Sequence, residues 1–386
     1  MTYPLWERHS ESGSIIAPFP QHLVLTALGY SPGTPKGGLS AQVVQFASLD
    51  ALKAADPASV KGRIVYIGYR MQRTKDGHDY GMGSAVRTTG PAIAAAKGAA
   101  GYLLRSAGTD AHERIAHTGV TVFTDPTKAI PAAALSNPDA DQLERELAYG
   151  KPVTVKLDLD CGIVGQFSGE NVIGEITGGK HPDQVVAIGG HLDSWDPGTG
   201  AIDDGAGVAI AMAAGKLIHD LPQRPDRTIR VIAFANEEMG LWGGKAYADR
   251  HAVEIGKFQL GTESDLGAAP VWRMSASVKP QARNAIAQIA QVLAPIGVTY
   301  DAKRPGGGGS DLSQMHGKGM AALSLDQDAT DYFDWHHTAN DTLDKIDPKQ
   351  LAQNIAVYAT FSYMAAQADG DFGSAPDAFA GDGTKE

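Results

Sequence analysis

The strongest constraint on the fold is an alternation of strands and helices in the second half of the chain. From about residue 171 onward, short apolar and β-branched runs alternate with longer helical patterns. The predicted strands cover 184–190, 228–235, 257–261 and 320–325, and the predicted helices cover 205–219 and 348–366. This alternation predicts an α/β fold: a mostly parallel mixed sheet with helices on both faces. Functional sites in such sheets form beyond the carboxyl ends of the strands.

The first half of the chain has a different pattern. Predicted strands at 60–68, 102–104 and 153–159 are interspersed with predicted helices at 90–97 and 140–149. We interpret them as a compact α+β domain inserted into the larger one, since 386 residues suit two domains. The expected regions are 1–36 as the opening part of the larger domain, 37–160 as the inserted domain, 161–370 as the main domain, and 371–386 as a disordered tail.

Composition excludes several functions. With 33 Lys plus Arg against 44 Asp plus Glu, the net charge of −11 disfavours nucleic acid and anionic membrane surfaces as partners. No segment approaches the length of a membrane span. The single cysteine, Cys161, excludes an intrachain disulfide and a Cys-rich zinc site. Any transition metal must therefore be held by His, Asp and Glu.

A first polar cluster follows the predicted strand 184–190. His191 comes directly after this strand, and the spacing would let the carboxylate of Asp193 fix the His191 ring. Asp203 and Asp204 then precede the predicted helix 205–219. Taken alone, this cluster is better explained by Asp203 as a helix cap and His191 as a buried histidine with satisfied hydrogen bonds.

Three further strand ends carry the same residue types. Glu237 and Glu238 follow one strand, Asp265 follows the next, and His336 and His337 come after the last. Adjacent carboxylates at the mouth of a sheet are costly unless a cation or a proton compensates them. With a cation, one glutamate can ligate and its neighbour can take a proton from an activated water. The alternative is an exposed first helical turn with two acids.

Five of these residues together supply two imidazoles and three carboxylates. They are His191, Asp203, Glu238, Asp265 and His337. The set suffices for two zinc ions if one carboxylate bridges them, and a single metal would leave charge uncompensated. Their joint occurrence at successive strand ends favours a two-metal hydrolytic site.

The segments that carry these residues resemble the co-catalytic zinc aminopeptidase family. They are 191–196 (His-Leu-Asp-Ser-Trp-Asp), 200–205 (Gly-Ala-Ile-Asp-Asp-Gly), 236–240 (Asn-Glu-Glu-Met-Gly), 263–265 (Glu-Ser-Asp) and 336–338 (His-His-Thr). The first segment, with 347–350 (Asp-Pro-Lys-Gln), is most similar to the carboxypeptidase Q group of that family. The resemblance covers nearly the whole chain. It implies a zinc exopeptidase fold whose inserted domain is protease-associated-like.

The resemblance also implies the ligand assignment and a cofactor complement of two Zn²⁺ per chain. Asp203 would bridge the two ions. His191 and Asp265 would complete one site, and Glu238 and His337 the other. The second histidine of the adjacent pair is chosen because a threonine follows it, as in relatives.

Catalytic roles follow from the same resemblance. Glu237 would be the general base, and Asp193 would orient His191. The resemblance also implies a cis peptide bond between Asp203 and Asp204.

Substrate residues are assigned by position relative to the family. Ser310 and Asp311 end a Gly-rich run at 306–309, which we expect near the terminus of a bound peptide, although a solvent-exposed linker is an alternative. Tyr332 would stabilise the tetrahedral oxyanion or only pack. His336 would line the site or pack.

We therefore expect a di-zinc exopeptidase that acts on short peptides, dipeptides in particular. By resemblance it would be a homodimer and periplasmic or secreted. Relatives carry a secretory signal and an opening stretch before the segment matching residues 3–6, so the chain is expected to be N-terminally truncated. Two rival hypotheses are a single-zinc acyltransferase of the glutaminyl cyclase type and an inactive, peptide-binding homologue. The complete ligand set and Glu237 count against both.

Overall fold

The computed structural model describes residues 1–373. Within that range the chain forms an eight-stranded sheet and a seven-stranded sheet, each packed against helices. We call residues 1–170 the N-terminal module and residues 171–373 the C-terminal module. Among these residues, no helix has both the length and the apolar character needed to span a bilayer.

The N-terminal module contains the first eight strands and four helices. Its strands are β1 (Thr2–Ala17), β2 (Gln21–Leu23), β3 (Leu25–Ala27), β4 (Leu39–Phe46), β5 (Ile64–Ile67), β6 (Gly101–Arg105), β7 (Ala132–Leu135) and β8 (Thr154–Ser168). Its helices are α1 (Leu49–Ala54), α2 (Pro57–Val60), α3 (Tyr80–Ala96) and α4 (Asn137–Ala148). The strand order is β2-β1-β8-β4-β5-β6-β7-β3. The pairs from β4 to β7 are parallel, and β1 and β8 form a long antiparallel ribbon.

The C-terminal module contains the seven-stranded sheet and six helices. Its strands are β9 (Val172–Ile176), β10 (His181–His191), β11 (Arg227–Phe234), β12 (Phe258–Glu263), β13 (Val271–Ser277), β14 (Thr299–Tyr300) and β15 (Ala322–Gln327). Its helices are α5 (Ala206–His219), α6 (Trp242–His251), α7 (Arg283–Leu293), α8 (Leu312–His316), α9 (Tyr332–Trp335) and α10 (Pro348–Gln367). In the order β14-β13-β15-β12-β10-β11-β9, only β9–β11 and β13–β15 are antiparallel. The predicted α/β class with a mostly parallel mixed sheet is confirmed.

Strand β10 shows why this sheet is covered on both faces. Successive side chains of a strand point to opposite faces. Val186 and Ile188 join the core formed with α5, α7 and α10, whereas Val185 and Ala187 join the core formed with α6 and α8. Full burial of each such aliphatic side chain stabilises the fold by about 1.5–3 kcal/mol. The strand is thereby held from both sides up to its last residue, His191.

The N-terminal module differs from its prediction at two places. Residues 1–36, expected to open the larger domain, instead supply β1, β2 and β3 of the eight-stranded sheet. The helix predicted at 90–97 begins ten residues earlier, at Tyr80. Gly81, Gly83 and Gly90 obscured it because glycine has low helix propensity. Gly90 is required there, since a Cβ would collide with the hydroxyl of the tyrosine at position 102 on β6.

Of the tail predicted to be disordered, residues 371–386, the structure describes only residues 371–373. Phe372 is fully buried in the core against α10, and its carbonyl accepts a hydrogen bond from the backbone N–H of Lys279 at 3.0 Å. An isolated aromatic residue in a polar segment gave no periodic signal. Residues 374–386 lie outside the described part of the chain. The identity of residues 37–160 as a protease-associated-like domain stays a prediction.

Candidate metal centre and active site

The five predicted ligands meet at one edge of the seven-stranded sheet. His191 is the last residue of β10, Glu238 follows β11, Asp265 follows β12, and His337 lies beyond β15. Strand β10 is parallel to both β11 and β12, and β12 is parallel to β15, so their carboxyl ends share an edge. Topology therefore gathers residues separated by up to 146 positions (337 − 191) into one site.

Asp203 lies at the centre of this cluster. Its Oδ1 is 3.2 Å from Nε2 of His191, and its Oδ2 is 3.2 Å from Nε2 of His337. The side chain is 4% exposed. The peptide bond between Asp203 and Asp204 is cis, as expected from the resemblance. One carboxylate thus faces two imidazoles with its two oxygens, which is the arrangement of a bridging ligand.

The first half-site consists of His191 and Asp265. Nε2 of His191 lies 3.3 Å from Oδ1 of Asp265, whose other oxygen accepts a hydrogen bond from the Ser310 hydroxyl. Nδ1 of His191 lies 2.8 Å from the backbone carbonyl oxygen of Asp193. A carbonyl can only accept, so this contact places the proton on Nδ1 and leaves the Nε2 lone pair facing the two carboxylates.

The carboxylate of Asp193 is not the nearest group of that residue to the His191 ring, and the role of Asp193 in orienting the ring stays a prediction. The carboxylate lies 3.7 Å from Nδ1 of His191, farther than the backbone carbonyl of the same residue. Its two oxygens instead accept hydrogen bonds from the backbone N–H groups of Glu237, at 2.9 Å, and Glu238, at 3.1 Å. Asp193 thus fixes the turn that carries both glutamates.

The second half-site consists of Glu238 and His337. Oε2 of Glu238 lies 2.9 Å from Nε2 of His337 and accepts a hydrogen bond from the indole N–H of Trp195 at 2.7 Å. Nδ1 of His337 lies 3.2 Å from the backbone carbonyl oxygen of Thr118, which also accepts from Arg87 at 3.3 Å. As in the first half-site, a carbonyl partner leaves Nε2 free to face the carboxylates.

Burial and mutual repulsion shift the protonation of these groups. Burial raises the pKa of Glu238 to about 7, although His337 beside it acts in the opposite sense. Burial disfavours a charged His337, but Glu238 and Asp203 outweigh it and raise the His337 pKa to about 9. Burial and the charge of Asp265 raise the pKa of Glu237 well above its usual range. The carboxylates at this edge of the sheet therefore have to be neutralised, either by protons or by bound cations.

The residues of this site are suited to bind divalent metal ions, which would supply the positive charge. Oδ2 of Asp203 and Oε1 of Glu238 are buried, and neither accepts a hydrogen bond from the described residues. Such oxygens are costly to bury without a cation. Three groups have ligand atoms within 4.8 Å of one another: His191 with Asp203 and Glu238, Asp203 with His336 and His337, and His191 with Asp204 and Asp265. Imidazole nitrogen and carboxylate oxygen are ordinary zinc donors.

The four predicted substrate residues lie in different surroundings. The ring of His336 stacks on His337 with centroids 3.5 Å apart, and its Nε2 is 3.4 Å from Oδ2 of Asp203. Tyr332 is buried against His336, with ring centroids 5.0 Å apart. Ser310 contacts Asp265. Asp311 is fully buried, and its carboxylate accepts a hydrogen bond from a backbone N–H on α6, so a substrate cannot reach it.

Two cavities adjoin the cluster. One of about 380 Å³ is lined by residues 3–9 of β1, by residues 193–196 and by Glu238. The other, of about 160 Å³, is lined by Asp265, Ser310 and residues of β15. Each cavity thus contacts a different half-site.

Comparison with known proteins agrees with this geometry. The model of peptidase family M28 matches residues 171–362. Human carboxypeptidase Q is 34% identical over 368 residues, covering 94% of this chain and 75% of the relative. The chain belongs to peptidase family M28. The bovine carboxypeptidase Q is also 34% identical, over 363 residues and with the same shares of coverage. The predicted resemblance to this family and to its carboxypeptidase Q group is confirmed, and so is the expectation of a peptidase.

Solved structures support the fold of this M28 peptidase. The crystal structure of a peptidase M28 precursor from Shewanella amazonensis SB2B is 47% identical, with a TM-score of 0.92, and the match covers 96% of this chain and 84% of that one. An aminopeptidase from Aneurinibacillus sp. strain AM-1 is 21% identical, with a TM-score of 0.64 and the same shares of coverage. The second likeness concerns the fold alone.

Several residues around the M28 site were not predicted from the sequence. Trp195 lies inside the motif at 191–196, so its contact with Glu238 had a local signal. Asp341 accepts hydrogen bonds from the backbone N–H of Asp203 and of its preceding residue. Thr118 and Arg87 come from the N-terminal module, and no local spacing links them to a histidine more than 200 positions away.

Proposed function

We propose that this M28 peptidase is a two-zinc exopeptidase that hydrolyses short peptides, dipeptides among them. The observation that carries the proposal is the position of Asp203, whose two oxygens face two separate imidazole–carboxylate half-sites. His191 and Asp265 would hold one ion, and Glu238 and His337 the other. The names of the relatives, carboxypeptidase Q and aminopeptidase, agree with removal of residues from a peptide end.

Glu237 is the proposed general base. When bound, the ions supply Lewis acidity that polarises the scissile carbonyl and makes water a better nucleophile near neutral pH. The backbone of Glu237 is held by Asp193, and burial together with Asp265 raises its pKa well above the usual range. A carboxylate with a raised pKa can take a proton from the attacking water and pass it to the leaving amine.

The size of the two cavities supports short substrates. The cavity of about 380 Å³ adjoins Glu238, and the cavity of about 160 Å³ adjoins Asp265 and Ser310. A peptide bond placed between the half-sites would have a residue on either side in one of these cavities. Tyr332 and His336, which pack together next to Asp203, are the candidate oxyanion donors.

A metal analysis combined with a dipeptide panel tests this function. Purified protein should contain about two zinc ions per chain and hydrolyse dipeptides, with activity lost on chelation and restored by Zn²⁺. Glu237→Gln should retain the metal and lose about 10²–10⁴-fold in kcat. Glu170→Gln, on the exposed loop before β9, is the matched control and should be unchanged. Metal-loaded protein without hydrolysis would instead favour the peptide-binding hypothesis.

Blocked substrates would decide which terminus is recognised. Loss of hydrolysis after N-acetylation of a dipeptide, but not after C-amidation, would indicate an aminopeptidase. The reverse result would indicate a carboxypeptidase, and sensitivity to both would indicate a dipeptidase.

Assembly and location are proposed from the resemblance. A homodimer is supported by exposed apolar side chains on the adjoining ends of β8 and β9: Val164, Phe167, Val172 and Ile173. Sedimentation analysis should give twice the chain mass, and a monomer at micromolar concentration would contradict it. A periplasmic or secreted location is testable by fractionation of cells that express the native gene.

A further inference from the structure

One of the two half-sites is built across the module boundary. His337 belongs to a segment of residues 328–341, which we call the histidine loop. Arg73 of the N-terminal module contacts this loop through Nη2, which donates to both carboxylate oxygens of Asp334, at 2.7 and 2.8 Å. Nη1 of Arg73 donates to Asp331 at 2.7 Å and to the carbonyl of Thr330 at 2.8 Å. Hydrogen bonds between a guanidinium and a carboxylate are stronger than those between neutral groups.

Further contacts from the N-terminal module hold the same loop. The Thr109 hydroxyl donates to Asp334 at 2.7 Å, and the Thr109 N–H donates to the carbonyl of Phe333 at 2.9 Å. The ring of Tyr80, at the start of α3, stacks on Phe333 with centroids 4.7 Å apart. The N–H of Ala329 donates to the backbone of residue 75 at 2.8 Å. The loop is therefore fixed by backbone, side-chain and aromatic contacts.

Thr118 contacts both the backbone and the ring of His337. The Thr118 N–H donates to the His337 carbonyl at 3.0 Å, while the Thr118 carbonyl lies 3.2 Å from Nδ1 of the ring. His337 has a φ of +61°, a left-handed conformation that is unfavourable for a residue other than glycine. Arg87, which is buried, donates to the same Thr118 carbonyl. These contacts hold both the backbone and the ring of the ligand in an intrinsically unfavourable conformation.

The other half-site has no such dependence. His191 follows β10, and its ring is oriented by the backbone of Asp193. Asp265 follows β12 and is held by Ser310. All four residues belong to the C-terminal module, so this half-site is complete without the N-terminal module.

We propose that the N-terminal module positions the metal ligand His337 through the histidine loop. Arg73 and Arg87 are the positioning residues. The affinity for metal at Glu238–His337 then depends on the docking of the two modules, whereas the affinity at His191–Asp265 does not. This inference rests on the proposed two-zinc function and adds an asymmetry between the two metal sites.

A calorimetric titration of the metal-depleted full chain with Zn²⁺ tests this asymmetry. The natural protein should bind in two steps. Arg73→Gln and Arg87→Met should weaken one step about 10–100-fold, as loss of outer-shell support typically does, and leave the other within about twofold. Arg70→Gln is the matched control, because Arg70 contacts Asp141 and Glu144 within the N-terminal module. The control should leave both steps unchanged.

A metal-free measurement separates positioning from a general loss of stability. In metal-depleted Arg73→Gln, backbone amides of the histidine loop should exchange with deuterium faster than in Arg70→Gln, while those of β10 and β12 stay unchanged. Equal weakening of both metal steps, or unchanged steps and unchanged exchange in both positioning variants, would overturn the inference. A natural protein that binds fewer than two zinc ions would overturn the proposed function first, and the inference with it.

Discussion

Replacement of Asp193 by asparagine tests how the turn of the two glutamates is held. The Asp193 carboxylate accepts hydrogen bonds from the backbone N–H groups of Glu237 and Glu238, at 2.9 and 3.1 Å. Hydrogen bonds to a charged group contribute about 1.5–3 kcal/mol each, and neutral ones about 0.5–1.5 kcal/mol. In Asp193→Asn one N–H keeps a neutral acceptor, and the other faces an NH₂ group that cannot accept.

The expected loss is therefore about 2–4 kcal/mol before solvent is considered. The side chain is 25% exposed, so water can replace part of the lost contact, and we expect a decrease of about 2 kcal/mol in the free energy of unfolding. Because the turn also positions Glu237, kcat should fall about 10–100-fold. The substitution removes no candidate ligand side chain, but it loosens the turn that carries both the base and the candidate ligand Glu238.

Urea denaturation and steady-state kinetics with a dipeptide measure both effects. Asp183→Asn is the matched control, because Asp183 is an exposed aspartate at the start of β10, at the opposite end of the strand from His191, and lines neither cavity. This control should change the free energy of unfolding by less than about 0.5 kcal/mol. If Asp193→Asn matched the control in both stability and kcat, the inference that the Asp193 carboxylate holds this turn would be refuted.

Three further outcomes are expected. Chelation should lower the thermal midpoint and Zn²⁺ should restore it, since a ligand at 100 times its Kd stabilises by about 2.7 kcal/mol; calorimetry with and without chelator checks this. Phe372→Ala should lower the free energy of unfolding by about 3–5 kcal/mol in urea, because the ring is fully buried; a loss below 1 kcal/mol would contradict its place in the core. Partial burial raises the pKa of Asp76, but contacts with His78 and Arg273 outweigh it and lower the pKa from 3.8 to about 2. The folded pKa is depressed, so Asp76 stabilises the protein above about pH 4 and this contribution is lost as the pH falls toward 2. The stability difference between Asp76→Asn and the natural protein should therefore be present near pH 6 and shrink below about pH 4.

The C-terminal module was predictable because its signals are local. The central strands β10, β11 and β12 are largely buried and contain short apolar stretches, and polar residues lie at or soon after their carboxyl ends. Parallel pairing then brings those ends together without any further information. Strand ends therefore singled out His191, the glutamate pair, Asp265 and the histidine pair as candidates, and the family resemblance chose Glu238 and His337 within the two pairs.

The contribution of the N-terminal module could not be predicted in the same way. Thr118 contacts His337 across 219 sequence positions, and Arg73 contacts Asp334 across 261. Such contacts depend on how two modules pack, and neither periodicity nor spacing reports on that. The place of residues 1–36 depends on the same kind of distant contact, since β1 pairs with β8, at the other end of the module.

The acids of the site divide into two kinds that sequence alone does not separate. Some carboxylates face imidazoles, as Asp203 does, and can hold metal. Others accept hydrogen bonds from the backbone N–H groups of the ligand segments: Asp193 at the glutamate turn, Asp204 at the N–H of His191, and Asp341 at the N–H of Asp203. Both kinds are acidic residues next to a strand end or a tight turn, which is why the contacts of Asp193 with the glutamate turn had no separate signal. The carboxylates that accept from backbone N–H groups differ in their consequence, because these hydrogen bonds keep their geometry whether or not a cation is bound. The backbone of the ligand segments is thus held by carboxylates before any metal binds, so metal binding removes little conformational freedom from these segments.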